Sequence, residues 1–338
     1  MKTKFYYLPI LLLGGLSLFM ACSDDDNEKG GGQPSAPVIG PGGTNAGARL
    51  TSISAGYGDV ISFQYNEDGT VKRILEGEGD SEEGDDWFAM TYNPFRMEYS
   101  ESGFLKNVSF NDDGYLTRLT IEYSESNEED GWSGTEKEDM TFTYNSNGNL
   151  TNITITGSYS EKENGEIYSE EEVYTESITY SWIEGNLVKI QRIYNGVEDG
   201  ESRQHMGTFE FEYSDEVNKF QQYIIGVDHF EFSDYFAPIG WLGKWSKNYP
   251  SSCTELYDED GEYTWTHTST WSNFSTKNDG LLSGFNYDGD RYTYTYDNIA
   301  STAQKVVAKQ TLNNNVPSPR TKKMGRHHLR RAKMLNRK

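Results

Sequence analysis

One phrase recurs along the middle of this chain: two aromatics one residue apart, an Asn- or Asp-rich turn closed by Gly, and a returning apolar alternation. It reads Phe63-Gln64-Tyr65-Asn66-Glu67-Asp68-Gly69-Thr70-Val71, and again Phe142-Thr143-Tyr144-Asn145-Ser146-Asn147-Gly148-Asn149-Leu150. Degenerate copies run through Tyr99 to Leu105, Phe110 to Leu116, Tyr180 to Leu187, Phe211 to Phe220, Leu256 to Tyr263, Phe274 to Leu282 and Tyr292 to Asp297. Such a repeat constrains architecture strongly and biochemistry hardly at all.

Each copy reads as strand, turn, strand. Apolar residues alternate with Thr, Ser and Glu at period two, which puts one set on one face of a sheet; Phe209-Glu210-Phe211-Glu212-Tyr213 is a clean case. Asn and Asp bond their own nearby backbone and Gly takes positive φ without steric cost, so Asn-x-x-Gly marks a tight hairpin. Between the copies lie acidic segments, Glu76 to Asp86, Glu125 to Asp139, Glu161 to Glu172 and Glu198 to Glu201. Several hold hairpin dipeptides of their own: Asp130-Gly131, Asn164-Gly165 and Asp199-Gly200, with Asp288-Gly289 as a compact late case. Alternate turns of an up-and-down meander lie at opposite ends, so the Tyr-Asn-x-x-Gly turns should form one rim and the acidic loops the other.

The expected fold class is therefore all-β, an antiparallel up-and-down meander closing as a strongly curved sheet or soluble barrel of roughly twelve to sixteen strands. Aromatics are 14% of the chain, so the core should be aromatic rather than aliphatic. The alternating runs look short of the ~9 to 11 residues that a tilted membrane-spanning strand requires.

The ends of the chain carry different information. Lys2 and Lys4, the apolar run Leu8 to Met20, and Ala21-Cys22 have the outline of a lipoprotein signal over residues 1–21. Cys22 is the expected acylation site; an ordinary signal peptide or an N-terminal membrane helix is the alternative. Residues 22–48 are acidic and then Gly- and Pro-rich and read as a tether, followed by the β-meander domain at 49–300. Residues 301–338 contain basic residues and no acid, in a chain of formal net charge −23, and read as a disordered basic tail. With Cys22 used as the anchor, Cys253 stands alone and no intramolecular disulfide is expected.

Three resemblances follow from these residues. Cys22-Ser23-Asp24-Asp25-Asp26-Asn27-Glu28 resembles the acidic export tag that Bacteroidetes place after the acylated cysteine of surface lipoproteins. That resemblance implies lipid anchoring in the outer membrane with exposure at the cell surface. Through the Tyr-Asn-x-x-Gly-x-Leu phrases and the Gly240-Trp241-Leu242-Gly243-Lys244 to Pro250-Ser251-Ser252 segment, residues Leu50 to Asp297 resemble a family of Bacteroides lipoproteins of unknown function with a porin-like fold. The turn phrase is also similar to the YD repeats of large bacterial shell proteins, a likeness of hairpin physics. Neither family brings a catalytic residue to a matching position.

No Gly-x-Ser-x-Gly elbow occurs, and His205, His229 and His267 read as structural or surface residues. Cys253 reads as a small buried residue. Acids are too abundant for a catalytic pair to be singled out. Asn111-Asp112-Asp113-Gly114 and Asp258-Glu259-Asp260-Gly261-Glu262 fail the EF-hand spacing, leaving only weak opportunistic calcium binding at the acidic rim. No enzyme activity, metal or cofactor is expected. The segment Asp228 to Ser252 breaks the repeat and concentrates aromatics around Pro238-Ile239-Gly240. It should close the sheet as a plug, or offer rings to sugar faces. Trp241, Trp245, Trp265 and Trp271 are the stacking candidates for a glycan- or partner-binding role, with a polysaccharide or surface protein as partner and the membrane reached through acylated Cys22. The alternatives are a structural envelope protein or, further off, a carbohydrate-active enzyme; nucleic acid is not an expected partner.

Overall fold

A computed structural model describes residues 48–298, apart from 79–84, 93–94, 100–102, 128–131, 164–165, 199–200, 229, 231 and 260–262. Cys22, the Ser23 to Asp26 tag, the tether, the basic tail, His229, and the dipeptides Asp130-Gly131, Asn164-Gly165 and Asp199-Gly200 lie outside the described residues.

The chain forms a closed barrel of 16 strands in which every neighbour in sequence is a neighbour in space and the last strand pairs with the first. The first six strands are β1 (Ala48–Ala55), β2 (Asp59–Tyr65), β3 (Val71–Glu78), β4 (Asp85–Thr91), β5 (Arg96–Tyr99) and β6 (Gly103–Phe110). Longer ones follow: β7 (Leu116–Asn127), β8 (Trp132–Tyr144), β9 (Leu150–Glu163), β10 (Glu166–Ile183), β11 (Asn186–Glu198) and β12 (Glu201–Val217). After an insert come β13 (Asn248–Glu259), β14 (Tyr263–Thr276), β15 (Leu282–Tyr287) and β16 (Asp290–Asn298). All pairings are antiparallel, and β1 closes on β16 with Ile53 opposite Tyr294. The expected meander is thus a closed barrel.

Two classes of turn occupy opposite ends, as the meander requires. At one end, Gly69, Gly114 and Gly148 donate to the carbonyls of Asn66, Asn111 and Asn145, each at 3.0 Å. These glycines hold φ of 93°, 82° and 82°, which only Gly adopts cheaply. Asn145 Oδ1 also accepts from the amides of Asn147 and Asn149, so the Asn side chain supplies a second set of bonds to the turn. Asp288-Gly289 at the acidic end has both residues at positive φ, 48° and 97°, the two-residue hairpin geometry.

The aromatic of the phrase has its own role. The hydroxyl of Tyr65 donates to the Leu50 carbonyl, Tyr92 to Val71, Tyr144 to Leu116 and Tyr213 to Leu187, at 2.6 to 2.8 Å. Trp182 Nε1 does the same to Leu150 at 2.7 Å. In each case a ring at or near the end of one strand reaches a carbonyl at or near the start of the strand that precedes it. The repeat is therefore a chain of interlocks, and each phrase satisfies a carbonyl in the one before. Burial pushes the Tyr65, Tyr144 and Tyr213 hydroxyls up, so they remain protonated donors.

The strands are longer than the sequence pattern suggests: β10 has 18 residues and β12 has 17. The expectation that the runs are mostly short of a spanning length is corrected here for β7 to β14. Segments rich in Glu and Ser that read as loops continue the ladders, as in Glu136 opposite Tyr159 and Glu138 opposite Gly157. Backbone pairing sets the ladder, and polar side chains on a half-exposed sheet do not break it.

Length alone would permit a membrane span, but the side chains oppose it. Inward positions are apolar through the lower barrel, for example Ile153, Ile155, Ile178, Tyr180, Ile190, Phe209 and Phe211. The outward positions beside them are Thr154, Thr156, Thr179, Lys189 and Glu210. Outward charges pair across strands, Arg118 with Asp139 at 3.7 Å and Lys189 with Glu210 at 3.4 Å. A Lys or Arg facing lipid at mid-bilayer costs about 2 to 4 kcal/mol. This wall is built with its apolar face inside, the reverse of a lipid-facing barrel.

The inside is filled by the insert 218–247. Phe230, Phe232, Phe236, Ile239, Trp241, Leu242 and Trp245 are all buried, and the described residues of the insert include one helical turn, α1 (Ser233–Phe236). Backbone bonds seat it: Leu116 N to Trp241 O at 2.8 Å and Lys244 N to Gly148 O at 2.9 Å. Gly243, at φ 80°, lies so close to the neighbouring turn that a Cβ there would sit 2.4 Å from the Gly148 carbonyl oxygen. The plug expected from the aromatic segment is present.

Trp241→Ala should cost about 3 to 5 kcal/mol, the range for emptying a buried large aromatic site. Tyr144→Phe, which leaves the Leu116 carbonyl without that donor, should cost about 1 to 3 kcal/mol. Urea unfolding measures both; a cost below about 0.5 kcal/mol for either would refute the corresponding contact as a support of the fold.

Candidate functional site

The long strands β7 to β14 rise as a curved wall above the shorter remainder of the barrel. On the inner face of that wall the side chains change character with height. Along β10, Tyr180 and Ile178 face the plug, then Glu176, then Tyr174; along β11, Ile190 gives way to Arg192 and Tyr194. Along β12, Phe209 gives way to Gly207 and His205, and on β13 and β14 the matching positions are Tyr257 and Trp265.

These rings form a continuous band across five strands. Tyr174 lies 5.5 Å from Tyr194 and Tyr194 5.4 Å from His205, with interplanar angles of 32° in both pairs. His205 stacks on Tyr257 at 6.2 Å and 14°, Tyr257 is 6.1 Å from Trp265, and Trp265 is 6.4 Å from His267. Inward glycines let rings lie along the wall. A Cβ on Gly157 would meet Tyr174 at 2.1 Å, and one on Gly196 would meet Tyr194 at 2.4 Å. A ring laid over a glycine turns a face toward the interior of the wall.

Polar groups frame the band. The Tyr174 hydroxyl donates to Glu136 at 3.0 Å and makes a shorter bond to Glu138, so one phenol bridges two carboxylates. Burial, reinforced by those two carboxylates, holds the Tyr174 proton on. Below it Glu176, 6% exposed, forms a two-pronged pair with Arg192 through Nε and through Nη2 at 2.9 Å. Phe230 of the plug lines a small cavity of about 20 Å³ with Glu138, Glu176 and Arg192, room for one water. An open depression of about 450 Å³ at the wall touches Tyr174, Gly196 and Arg203 on the inner face and also Val173, Asn195, Val197 and Gln204, whose side chains lie on the outer face.

The top of the plug is tied to the wall by carboxylates. Asp228 accepts from the Tyr180 hydroxyl at 3.0 Å and from Ser233 Oγ at 2.6 Å. Glu76 accepts from the Tyr235 hydroxyl at 2.8 Å, and within the plug Asp234 accepts from the Tyr223 hydroxyl at 2.6 Å. Burial raises the Asp234 carboxyl to about 6, opposed by the Tyr223 bond and reinforced by Asp228 and Glu76.

The structure separates the tryptophans singled out from sequence. Trp241, Trp245 and Trp271 are 1%, 3% and 4% exposed, and Trp271 Nε1 donates to the Ile225 carbonyl inside the barrel. A ring with no open face cannot stack on a sugar, so these three are reassigned to the plug and its seat. Trp265, 36% exposed, is the one that joins the ring band. Tyr174, Tyr194 and Tyr257 were not singled out from sequence, and His205 reads there only as a structural or surface residue; the inward glycines at Gly157, Gly196 and Gly207 are the signal that marks them. Cys253 is buried and its thiol pushed up to about 12, chiefly by burial, so it stays protonated. Among the described residues no group of three or more His, Cys, Asp or Glu could hold a metal ion.

No protein-family model and no curated protein matches the chain. Solved structures similar to it include a porin-like protein from Bacteroides vulgatus ATCC 8482, at 13% identity and TM-score 0.45, covering 73% of this chain and 98% of the other. Another is a porin-like protein from Bacteroides uniformis ATCC 8492, at 15% identity and TM-score 0.42, covering 75% and 93%. Likeness at that level carries no argument here; the fold rests on the strand pairing above.

Because the Asp234 pKa is raised on folding, the native state holds more protons than the unfolded chain between the ordinary carboxylate range and about 6. Its contribution therefore falls as pH rises through that window, and the cost is fully present above it. Asp234→Asn, which keeps an acceptor for Tyr223, should raise the melting temperature above pH 6 and lose that advantage near pH 4. A constant difference across that range would overturn the assignment.

Proposed function

We propose that this protein is a non-catalytic binding module, held at the cell surface by acylated Cys22, whose inner wall captures a glycan. The observation that carries the reading is the band of rings from Tyr174 through Tyr194, His205 and Tyr257 to Trp265, set above the plug on one face of the long strands. Sugars present flat C–H faces that pack on aromatic rings, while their hydroxyls take hydrogen bonds from fixed polar groups at the ring edges. Arg203 beside the open depression and the carboxylates Glu136 and Glu138 provide such groups.

Catalysis is not part of this proposal. The hydroxyl of Tyr174 occupies the space between Glu136 and Glu138, and Cys253 is a protonated thiol packed in the core. The lipid anchor and outward exposure rest on the Cys22-Ser23-Asp24-Asp25-Asp26 sequence. A long tether of Gly and Pro would let the barrel stand off the membrane, in keeping with its polar exterior.

The test is binding to a panel of neutral and charged polysaccharides, with product analysis on the same samples. Saturable binding without cleavage is expected. Tyr257→Ala and Trp265→Ala should each weaken it by roughly 5- to 100-fold, the equivalent of about 1 to 3 kcal/mol per stacked ring, with the melting temperature little changed. No binding across the panel would sink the glycan reading and favour a structural envelope role; released oligosaccharide would replace it with an enzyme.

A further inference from the structure

The tall wall has two free margins, and they are built differently. On one side, β7 extends past its pairing with β6 at Gly103–Tyr123, so residues Ser124–Asn127 pair with β8 alone. On the other, β14 meets β15 only from Trp271 downward, and Tyr263–Ser269 pair with β13 alone. The β15–β16 hairpin ends level with Thr270, whose carbonyl accepts from Asp288 N at 2.9 Å and whose N–H donates to Asp288 Oδ1 at 2.7 Å. Backbone direction alternates along a strand, so the N–H and C=O of Thr264, Thr266 and Thr268 point the same way as those of Thr270. Above Asp288 no described strand meets them.

Natural edges are guarded by charge, proline or bulges. The β7 margin reads Ser124-Glu125-Ser126-Asn127 and runs into Glu128-Glu129-Asp130. The β14 margin reads Tyr263-Thr264-Trp265-Thr266-His267-Thr268-Ser269, with no Asp, Glu, Lys, Arg, Pro or Gly, in a chain of net charge −23. Its outward threonines are all exposed, and Trp265 and the His267 side chain are open at 36% and 55%.

We infer that this margin pairs with the same margin of a second copy of the chain, joining two walls into one antiparallel sheet across a two-fold axis. A segment free of charge is where two strongly acidic molecules can approach without like-charge repulsion. The stretch is also self-complementary. With Thr266 opposite its own counterpart, Thr264 faces Thr268 of the second copy, and all three outward-pointing residues exchange both backbone bonds. The outer face then carries threonine against threonine, a favourable cross-strand pair. The inner face sets Trp265 beside the second copy's His267, so the two ring bands meet at the seam. This pairing stands independently of the glycan reading.

Sedimentation of the full chain over a concentration series tests it. The expected result is a species of twice the chain mass at high concentration, reduced to the single chain by Thr268→Lys, which places a charge in the seam. In a Cys22→Ser background, Thr266→Cys should be linked to its counterpart by a short thiol-to-thiol reagent, and Leu256→Cys, one strand inward, should not. A wild-type chain that stays monomeric, or a dimer that survives Thr268→Lys without linkage at position 266, would overturn the proposal. Linkage at Thr266 supports it even where the lysine variant fails to fold.

Discussion

A closed wall of 16 strands encloses more space than its own inward side chains can fill, and this constraint governs the rest of the structure. Barrels of this strand number leave an aqueous channel unless something occupies it. Here the inward positions of the lower barrel are Ile, Leu, Met, Phe and Tyr, which cannot line water without great cost. The insert 218–247 resolves the conflict by bringing its own rings to the centre. Phe88 is held between Phe232, Tyr235 and Phe236, and Phe110 against Trp241, so wall and plug form one aromatic core. The polar exterior follows from the same choice, since apolar surface spent inside is not available outside.

The tyrosine interlocks show why the sequence repeats. A meander of hairpins could slip in register, because each hairpin is specified only by its own turn. Binding the hydroxyl of Tyr144 to the carbonyl of Leu116, and of Tyr213 to Leu187, fixes the rim of each hairpin to its predecessor. The aromatic, the Asn and the Gly of the phrase thus do three separate jobs: a rim bond, a turn bond and a positive φ. Where the phrase decays, as at Phe110 and Phe274, the ring remains and packs on Trp241 or on Tyr249 and Phe285 instead.

Much of this was legible in the amino-acid sequence because it depends on local rules. Period-two alternation and Asn-x-x-Gly turns specify hairpins, and the broken repeat at Asp228 to Ser252 marks the plug. Strand length was not legible: nothing local separates Glu136-Lys137-Glu138 in a ladder from the same residues in a loop, since the partner strand decides. The binding wall was hidden for a related reason. Tyr174, Tyr194, His205 and Tyr257 are far apart in the chain and become neighbours only through the register of three strand pairings. Tryptophan content drew attention to Trp241, Trp245 and Trp271, whose size suits them equally to filling the barrel.

The height of the plug decides where a site can exist. Register sets Ile155 opposite Glu176 and Ile178 opposite Arg192, so the border between apolar and polar inward positions steps from strand to strand along the wall. Below that border inward rings such as Phe88, Phe110 and Phe142 have plug rings against them. Above it Gly157 and Gly196 lay the rings of Tyr174 and Tyr194 along the sheet. A taller plug would cover those faces; a shorter one would wet Ile155, Ile178 and Phe209. The buried Glu176–Arg192 pair at the boundary is costly to expose halfway, because separating it leaves an uncompensated charge, and so it holds the dry and wet regions to a fixed border. The ring band is therefore a consequence of how far up the barrel the insert reaches.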